Sequence, residues 1–374
     1  MEIFYLVLAV LLFIGLVLIH EWGHFVAARR GGVEVEEYGI GFPPKVWGKK
    51  IKTKKSKFLF SVNLLPLGGF VKLKGENDAD QRPGTFGAAP LSTKVKIMMA
   101  GVFMNLVTAL VLFTALAWIG MPKLVENQFT VAGDTNLISE VQNQDVVLVS
   151  EVVANGPADR AGIKTGDQLV SLAGQDIKAT ERIGEVAKEN AGQTVEAVIK
   201  RGDETINSRV SLNAENNGQG YLEIVSESGA SGYEVRRSTW SAPVVAVGLT
   251  AQFTELTFKG IGHALKSLAI GNPSQAAEQV AGPVGIAVIL DKVSEIGFNF
   301  MLMVIAIISL TLAIMNVLPI PALDGGRLFV TLLYRALKKP LTKEAEEKIH
   351  GTGFALLMVL FVVITVVDVK RFIL

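Results

Sequence analysis

The chain has 374 residues, half of them hydrophobic, and a formal charge of +1. That is too apolar for an ordinary soluble domain and points to a membrane protein with a polar portion, while the near-neutral balance shows no nucleic-acid footprint. Cysteine is absent, which excludes disulfides and thiol catalysis and leaves the redox compartment open.

Four runs lack charged side chains: Ile3–Ile19, Ile97–Gly120, Ile296–Ala322 and Gly351–Val367. A hydrocarbon core of roughly 30 Å takes about 20 helical residues and at least about 17, so the outer two runs are marginal and the middle two comfortable. The first run carries Glu2 and no basic residue before it and ends in HEWGH, without a convincing cleavage site. It is therefore expected to be a retained span rather than a signal peptide.

That first run ends in LVLIHEWGHF, residues 17–26. His20 and His24 are four residues apart, which on a helix puts them on one face about a turn apart. The spacing suits two imidazole ligands of one Zn²⁺, with Glu21 beside the metal. Glu21 would take a proton from the attacking water and later deliver it to the leaving amine. Two interfacial histidines are the bland alternative, but ionisable groups at membrane depth are functional by default.

Residues 28–96 hold fourteen Lys or Arg, among them Lys49, Lys50, Lys52, Lys54, Lys55 and Lys57. The positive-inside rule puts this segment in the cytosol and the N-terminus outside. Within it, FLFSVNLLPLGGFVKL (58–73) has two apolar runs joined through Pro66, Gly68 and Gly69, and is expected to form a hairpin at the membrane face. An edge of such a hairpin, at Gly68, Gly69 and Phe70, can add a substrate segment as an extra strand; the simple alternative is a hairpin that merely packs against the bundle. A helical substrate must be unwound before its amide bonds are accessible, and strand addition replaces the hydrogen bonds that lipid cannot supply.

The second span leads to a polar extracytoplasmic region. Residues 151–177 read as a strand, a short helix opening near Pro157, a turn at Gly162 and another strand. TVEAVIKR and NSRVSLNA read as further strands. Residues 242–270 are apolar enough to tempt a fifth crossing, but Glu255, Lys259, His263 and Lys266 would then lie in lipid. Their spacing puts them on one face, which suits a helix on the membrane surface or against the bundle.

A catalytic zinc usually has three protein ligands. Asp324, in NVLPIPALDGGRLF, follows the third long run directly. With four spans it reaches the same side as His20 and His24; with five it does not. Pro319 and Pro321 interrupt the helix, and Gly325 and Gly326 allow close backbone approach. His263 and His350 lie in segments expected to face the surface and are read as structural. The Lys and Arg residues between the last two runs put that connection in the cytosol and the C-terminus outside.

HEWGH and NVLPIPALDGG, with GIGFPPKVWG (39–48), LLPLGGFVKL (64–73), TFGAAPLSTKVKIMMAGVFMN (85–105) and AGPVGIA (281–287) between them, resemble the site-2 protease family of intramembrane zinc metallopeptidases. The bacterial branch that includes the regulator of sigma-E protease is the nearest match. The resemblance implies His20, His24 and Asp324 as ligands, Glu21 as acid/base, and Asn316 and Pro319 in substrate handling. Val102 stands where the family often has proline. The outer region resembles a single PDZ domain in the permuted bacterial arrangement, where relatives often have two. GQGYLEIV (218–225) would be its carboxylate loop and edge strand, with Gly220, Tyr221 and Leu222 capturing a C-terminus; the alternative is a steric gate that binds no peptide.

The expected fold is thus a polytopic α-helical membrane protein: four transmembrane helices around an intramembrane metal site, a cytosolic membrane-associated β-hairpin and an inserted extracytoplasmic PDZ-like α+β domain. The expected division is 1–27, first span with HEWGH; 28–94, cytosolic loop with the hairpin; 95–120, second span; and 121–150, linker or partial module. There follow 151–230, the PDZ-like domain; 231–295, amphipathic membrane-surface helices; 296–322, third span; 323–350, LDG and a cytosolic connection; and 351–374, fourth span. The expected activity is regulated intramembrane proteolysis in a bacterial cytoplasmic membrane. Its expected substrates are single-span membrane proteins, such as anti-sigma factors after a first outer cut, or remnant signal peptides. Membrane lipid is a further expected partner. The competing readings are a non-catalytic PDZ-bearing scaffold with a structural metal, which leaves Glu21 without a purpose, and a metal transporter, against which no repeated halves occur.

Overall fold

The computed structural model describes residues 2–53, 56–142, 146–202, 204–216, 220–229, 232–271 and 282–372. Lys54 and Lys55 of the lysine cluster, Gly218 and Gln219 of the expected carboxylate loop, and Ala281 of AGPVGIA lie outside the described residues. The chain divides into two compact units, one formed by residues 1–136 and 236–374 and the other by 137–235.

In the first unit, α1 spans Glu2–Arg30, with Arg29 and Arg30 in its last turn, where cations complement the helix dipole. α2 (Leu91–Ile119) starts after the extended Pro90 and stops at Gly120, whose φ of 131° ends the helix. Among the described residues, four helices are long and apolar enough to cross a membrane: Phe4–Arg30, Leu91–Ile119, Phe298–Val317 and Lys343–Phe372. The third is shorter than the expected 296–322. Gly297, at φ 135°, separates it from the preceding helix, and the extended Leu318 before Pro319 ends it at Val317. The fourth begins at Lys343 and takes in part of the expected cytosolic connection.

Between α1 and α2, two long antiparallel strands, β1 (Val35–Thr53) and β2 (Ser56–Leu73), curl on themselves. Residues 37–40 pair with 59–62 on one side and with 69–72 on the other, while 45–53 pair with the outer side of 56–63. The segment Gly69–Leu73 therefore has a paired neighbour on one side only, among the described residues. The sheet is seated by a cluster of Phe25, Ala28, Val35, Tyr38, Leu73, Phe86 and Ile97, and Tyr38 donates its hydroxyl hydrogen to Leu18 O at 2.8 Å.

Of the two places expected for 242–270, the membrane surface or the bundle, the first half of the segment takes the second. α5 (Ala242–Ala269) buries Ala242, Val245, Ala246, Leu249 and Phe253 against Phe113 and Leu116 of α2 and Leu302, Met303 and Ala306 of the third span. Its first half is thus bundle-packed, because small residues let the backbones approach. Its second half leaves Leu256, Phe258, Leu265 and Ile270 exposed. The turn before it is held by the buried Asp134, which accepts hydrogen bonds from the backbone N–H and hydroxyl groups of both Thr239 and Ser241. Those hydroxyls and amides hold its carboxyl below the usual carboxylate range. After α6 (Pro283–Ile296) come α7 (Phe298–Val317), α8 (Asp324–Ala336) and α9 (Lys343–Phe372).

The second unit is an antiparallel sheet with two short helices. The elements of that sheet and its helices are β3 (Val146–Val152), α3 (Pro157–Arg160), β4 (Gln168–Leu172), β5 (Gln175–Asp176), α4 (Thr180–Glu189), β6 (Thr194–Arg201), β7 (Glu204–Ser211) and β8 (Ile224–Gly229). The strand order is β8-β3-β4-β6-β7, with β5 paired to β4. Alternation turns Val195, Ala197 and Ile199 of β6 inward, and they meet Val147, Val149, Leu169, Leu172 and the α4 residues Ile183 and Val186 in one core. Pro157 opens α3 and Gly162, at φ 77°, provides the turn after it.

Candidate metal centre

The centre is built from three helices. α1 carries His20 and His24 on one face; α8 begins at Asp324; α2 runs behind both. His20 Nε2 and His24 Nε2 lie 3.2 Å apart, and each is 3.1 Å from Asp324 Oδ2. Four ligand atoms at tetrahedral positions about 2.0–2.1 Å from zinc are spaced by about 3.3 Å. The three atoms of this cluster match that spacing.

Hydrogen bonding alone does not account for the arrangement. His24 Nδ1 lies 2.8 Å from Ile97 O, so Nδ1 carries the hydrogen and Nε2 presents a lone pair. Asp324 Oδ2 is buried without a hydrogen-bond partner. Two acceptors, His24 Nε2 and Asp324 Oδ2, thus face one point beside His20 Nε2, and a cation at that point satisfies them together. The residues present fit a zinc ion.

The local sequence explains how Asp324 reaches this place. Leu318 to Leu323 form a tight turn after α7, and a Cβ on Gly325 would collide with Val317 O, one on Gly326 with Ile320 O. Only glycine lets the first turn of α8 press against that carbonyl run. The polar side of Asp324 opens into a cavity of about 400 Å³ lined also by Glu76, Asn77, Arg327, Glu346 and His350. His350 thus departs from its expected surface-facing role, accepting from the Ala322 N–H at 3.3 Å within the turn that delivers Asp324.

Glu21 points toward the curled sheet. A Cβ on Gly69 would stand 3.3 Å from Glu21 Cγ and 3.1 Å from Gly39 O. The one-sided edge Gly69–Leu73 therefore runs alongside Glu21. Gly39 lies under the Phe70 ring, where a side chain has no room. Gly68, at φ 95°, makes the bend into this edge. Asn316 donates to Leu312 O in its own helix at 3.0 Å, and Pro319 is exposed; neither touches the three clustered donors in the described contacts.

Two residues of α2 complete the centre without having been expected there. A Cβ on Gly101 would stand 2.5 Å from His20 Cε1 and 2.6 Å from His20 Nε2, and would also clash with His24 Nε2. Gly101 is the gap into which both imidazoles fit. One turn on, Asn105 Nδ2 lies 3.2 Å from His20 Nδ1. Neither residue is ionisable, so a search for ligands passes over them; the available signal was a buried-type amide in an otherwise apolar run.

In the second unit, Gly220, Tyr221 and Leu222 lie beside a cleft of about 350 Å³ between α4 and β8, lined also by Ile183, Gly184, Ala187 and Lys188. β8 is an edge strand of its sheet. The Gly220 N–H already donates to Asn216 Oδ1 at 3.0 Å, so it is engaged rather than offered to a ligand, and Leu222 is 2 % exposed.

A sequence model of Peptidase family M50 matches residues 8–360. A Clostridium perfringens protein provisionally named a zinc metalloprotease is 32% identical over 371 residues, covering 98% of both chains. The regulator of sigma-W protease RasP of Bacillus subtilis is 26% identical over 443 residues, covering 97% of both. Among solved structures, the PDZ domain of an SdrC-like protein from Listeria monocytogenes aligns with 24% of this chain and 93% of its own, at 22% identity and a TM-score of 0.21.

Proposed function

The chain belongs to Peptidase family M50, the site-2 proteases, and from that premise we propose that it hydrolyses peptide bonds of single-span membrane proteins, with zinc held by His20, His24 and Asp324. It is a zinc metallopeptidase of the regulated intramembrane type. The observation that carries the ligand assignment is the convergence of three donor atoms from opposite ends of the chain, one of them a buried carboxylate oxygen without a partner. Bound zinc supplies Lewis acidity, lowering the pKa of its water toward about 7 and polarising a carbonyl.

The chain's own residues do the rest. Glu21, adjacent to His20 in sequence and beside the sheet edge, takes a proton from the attacking water and returns it to the departing amine nitrogen. The edge Gly69–Leu73 pairs with an unwound stretch of substrate and so keeps a scissile carbonyl beside Glu21. Gly68 and Phe70 shape that edge, while Asn316 and Pro319 take part in substrate handling.

Orientation follows from charge. The lysine-rich sheet region lies on the cytosolic side, with exposed Val46, Trp47 and Leu64 meeting the lipid interface beside Lys45, Lys49 and Lys50. The second unit is then extracytoplasmic, reads as a PDZ-like domain, and binds through its α4–β8 cleft the C-terminus left by a prior outer cut. The membrane is a bacterial cytoplasmic membrane, and the substrate class is a single-span regulator such as an anti-sigma factor, in keeping with a Bacillus relative named as a regulator of sigma-W.

The test is cleavage of a labelled single-span substrate by purified protein. Glu21→Gln is expected to keep its zinc and lose about 10²–10⁴-fold in rate. Unchanged cleavage refutes the role of Glu21.

A further inference from the structure

Asn105 is 1 % exposed, its Nδ2 stands 3.2 Å from His20 Nδ1, and its Oδ1 is buried without a partner. A half-turn of the amide exchanges two atoms of nearly equal size, so that Oδ1 faces the ring nitrogen and Nδ2 takes the place Oδ1 held. His20 decides which orientation holds. A neutral imidazole carries its hydrogen on one nitrogen only. With Nδ2 donating to Nδ1, that hydrogen sits on Nε2, which then aims an N–H at Asp324 Oδ2 and has no lone pair for a cation. With Oδ1 accepting from Nδ1–H, Nε2 is bare. His24 already has this second arrangement, through Ile97 O.

We infer that Asn105 is a positioning residue whose side-chain carbonyl fixes His20 as the Nδ1–H tautomer and so keeps Nε2 aimed at the metal. His24 uses a backbone carbonyl of α2 for this purpose; His20 uses an amide about two turns further along the same helix. Ser309 secures the arrangement from the other side. It is 0 % exposed and donates to Asn105 O at 2.8 Å, tying α2 at this level to α7, whose C-terminal end leads to Asp324.

The inference rests on the reading that His20, His24 and Asp324 hold zinc, so the test separates the two. Full-length protein in detergent is titrated with zinc against a chromophoric chelator, and Co²⁺-loaded protein is examined for its tetrahedral d–d bands. Asn105→Leu keeps the branched shape and removes the acceptor; Asn105→Asp keeps an acceptor and removes the donor. Asn105→Leu is expected to weaken zinc binding about 10–100-fold and to alter the Co²⁺ bands, while Asn105→Asp stays within about threefold of the parent. The metal-free melting temperature of Asn105→Leu should match that of the parent, since the role concerns the metal.

Parent-like zinc affinity in Asn105→Leu overturns the inference, as does a loss in Asn105→Asp as large as in Asn105→Leu. If Asn105→Leu does not fold, Asn105→Asp decides alone, retention supporting the acceptor role and loss overturning it. His24→Ala reports on the underlying site. Zinc loss there with an unaffected Asn105→Leu sinks only the tautomer claim, whereas zinc kept in His24→Ala sinks both.

Discussion

Gly101→Ala places one methyl group where the structure has none to spare. Its Cβ would lie 2.5 Å from His20 Cε1 and 2.6 Å from His20 Nε2. Comfortable contact between such atoms needs about 3.5 Å, so the rings must retreat by about 1 Å. They have little freedom to do so together, because His24 is tied to Ile97 O and His20 abuts Asn105. Displacing ligands or their supports by this amount weakens a metal site about 10–100-fold, or about 1.4–2.8 kcal/mol. At a fixed excess of zinc, the same amount should vanish from the zinc-dependent part of the thermal stability, leaving the metal-free melting temperature nearly unchanged. Cleavage should fall by about 10²-fold, the usual penalty of a 1 Å misplacement. Gly15→Ala on α1 is the control, since a Cβ there meets nothing within 4 Å. Chelator competition and melting curves for the two variants provide the assay. Parent-like zinc affinity and cleavage in Gly101→Ala would refute the argument that α2 makes room for the imidazoles.

Asp324→Ala should reduce zinc occupancy to near background after dialysis, measured by elemental analysis; full occupancy would remove Asp324 from the ligand set. Asp134 gives a pH signature. Its folded-state pKa is depressed by the Thr239 and Ser241 donors, so its contribution to stability is present above the unfolded value of about 3.9 and is lost as pH falls through that value toward the lower folded one. The melting temperature of the parent should drop more steeply between about pH 5 and pH 2 than that of Asp134→Asn, and parallel curves would contradict the assignment. In the second unit, Gly184 lines the α4–β8 cleft and a Cβ there meets nothing within 4 Å. Gly184→Trp should fill the cleft, raise KM for a pre-cut substrate and leave zinc content alone; an unchanged KM favours a steric gate.

Much of the site was legible because its chemistry is ionic. His20, Glu21, His24 and Asp324 stand out in runs that otherwise lack charge, and parity of crossings brings the two ends to one side. Gly101 and Asn105 were not legible as site residues. Their importance lies in shape and in a single hydrogen bond, and both depend on the crossing of α1 and α2, which spacing along one helix does not encode. The same limit applies to α5. Its charged face argued against a crossing, but the burial of Ala242, Val245, Ala246 and Leu249 depends on which helices stand nearby. The ends of the third span depended on local backbone, where Gly297 and the Leu318–Pro319 step cut short a hydropathy run that continues on both sides.

The edge at Gly69–Leu73 offers peptide groups, not pockets, to whatever lies alongside Glu21. Selection on such a surface works through how readily a stretch of polypeptide abandons its coil. Sequences cut by this enzyme should then share no consensus of side chains around the broken bond, but a common weakness: glycine, serine, asparagine or β-branched residues that lower helical propensity at one point in the bilayer. Discrimination would lie in the substrate's willingness to unfold, and a stiff alanine–leucine span would survive in the same membrane.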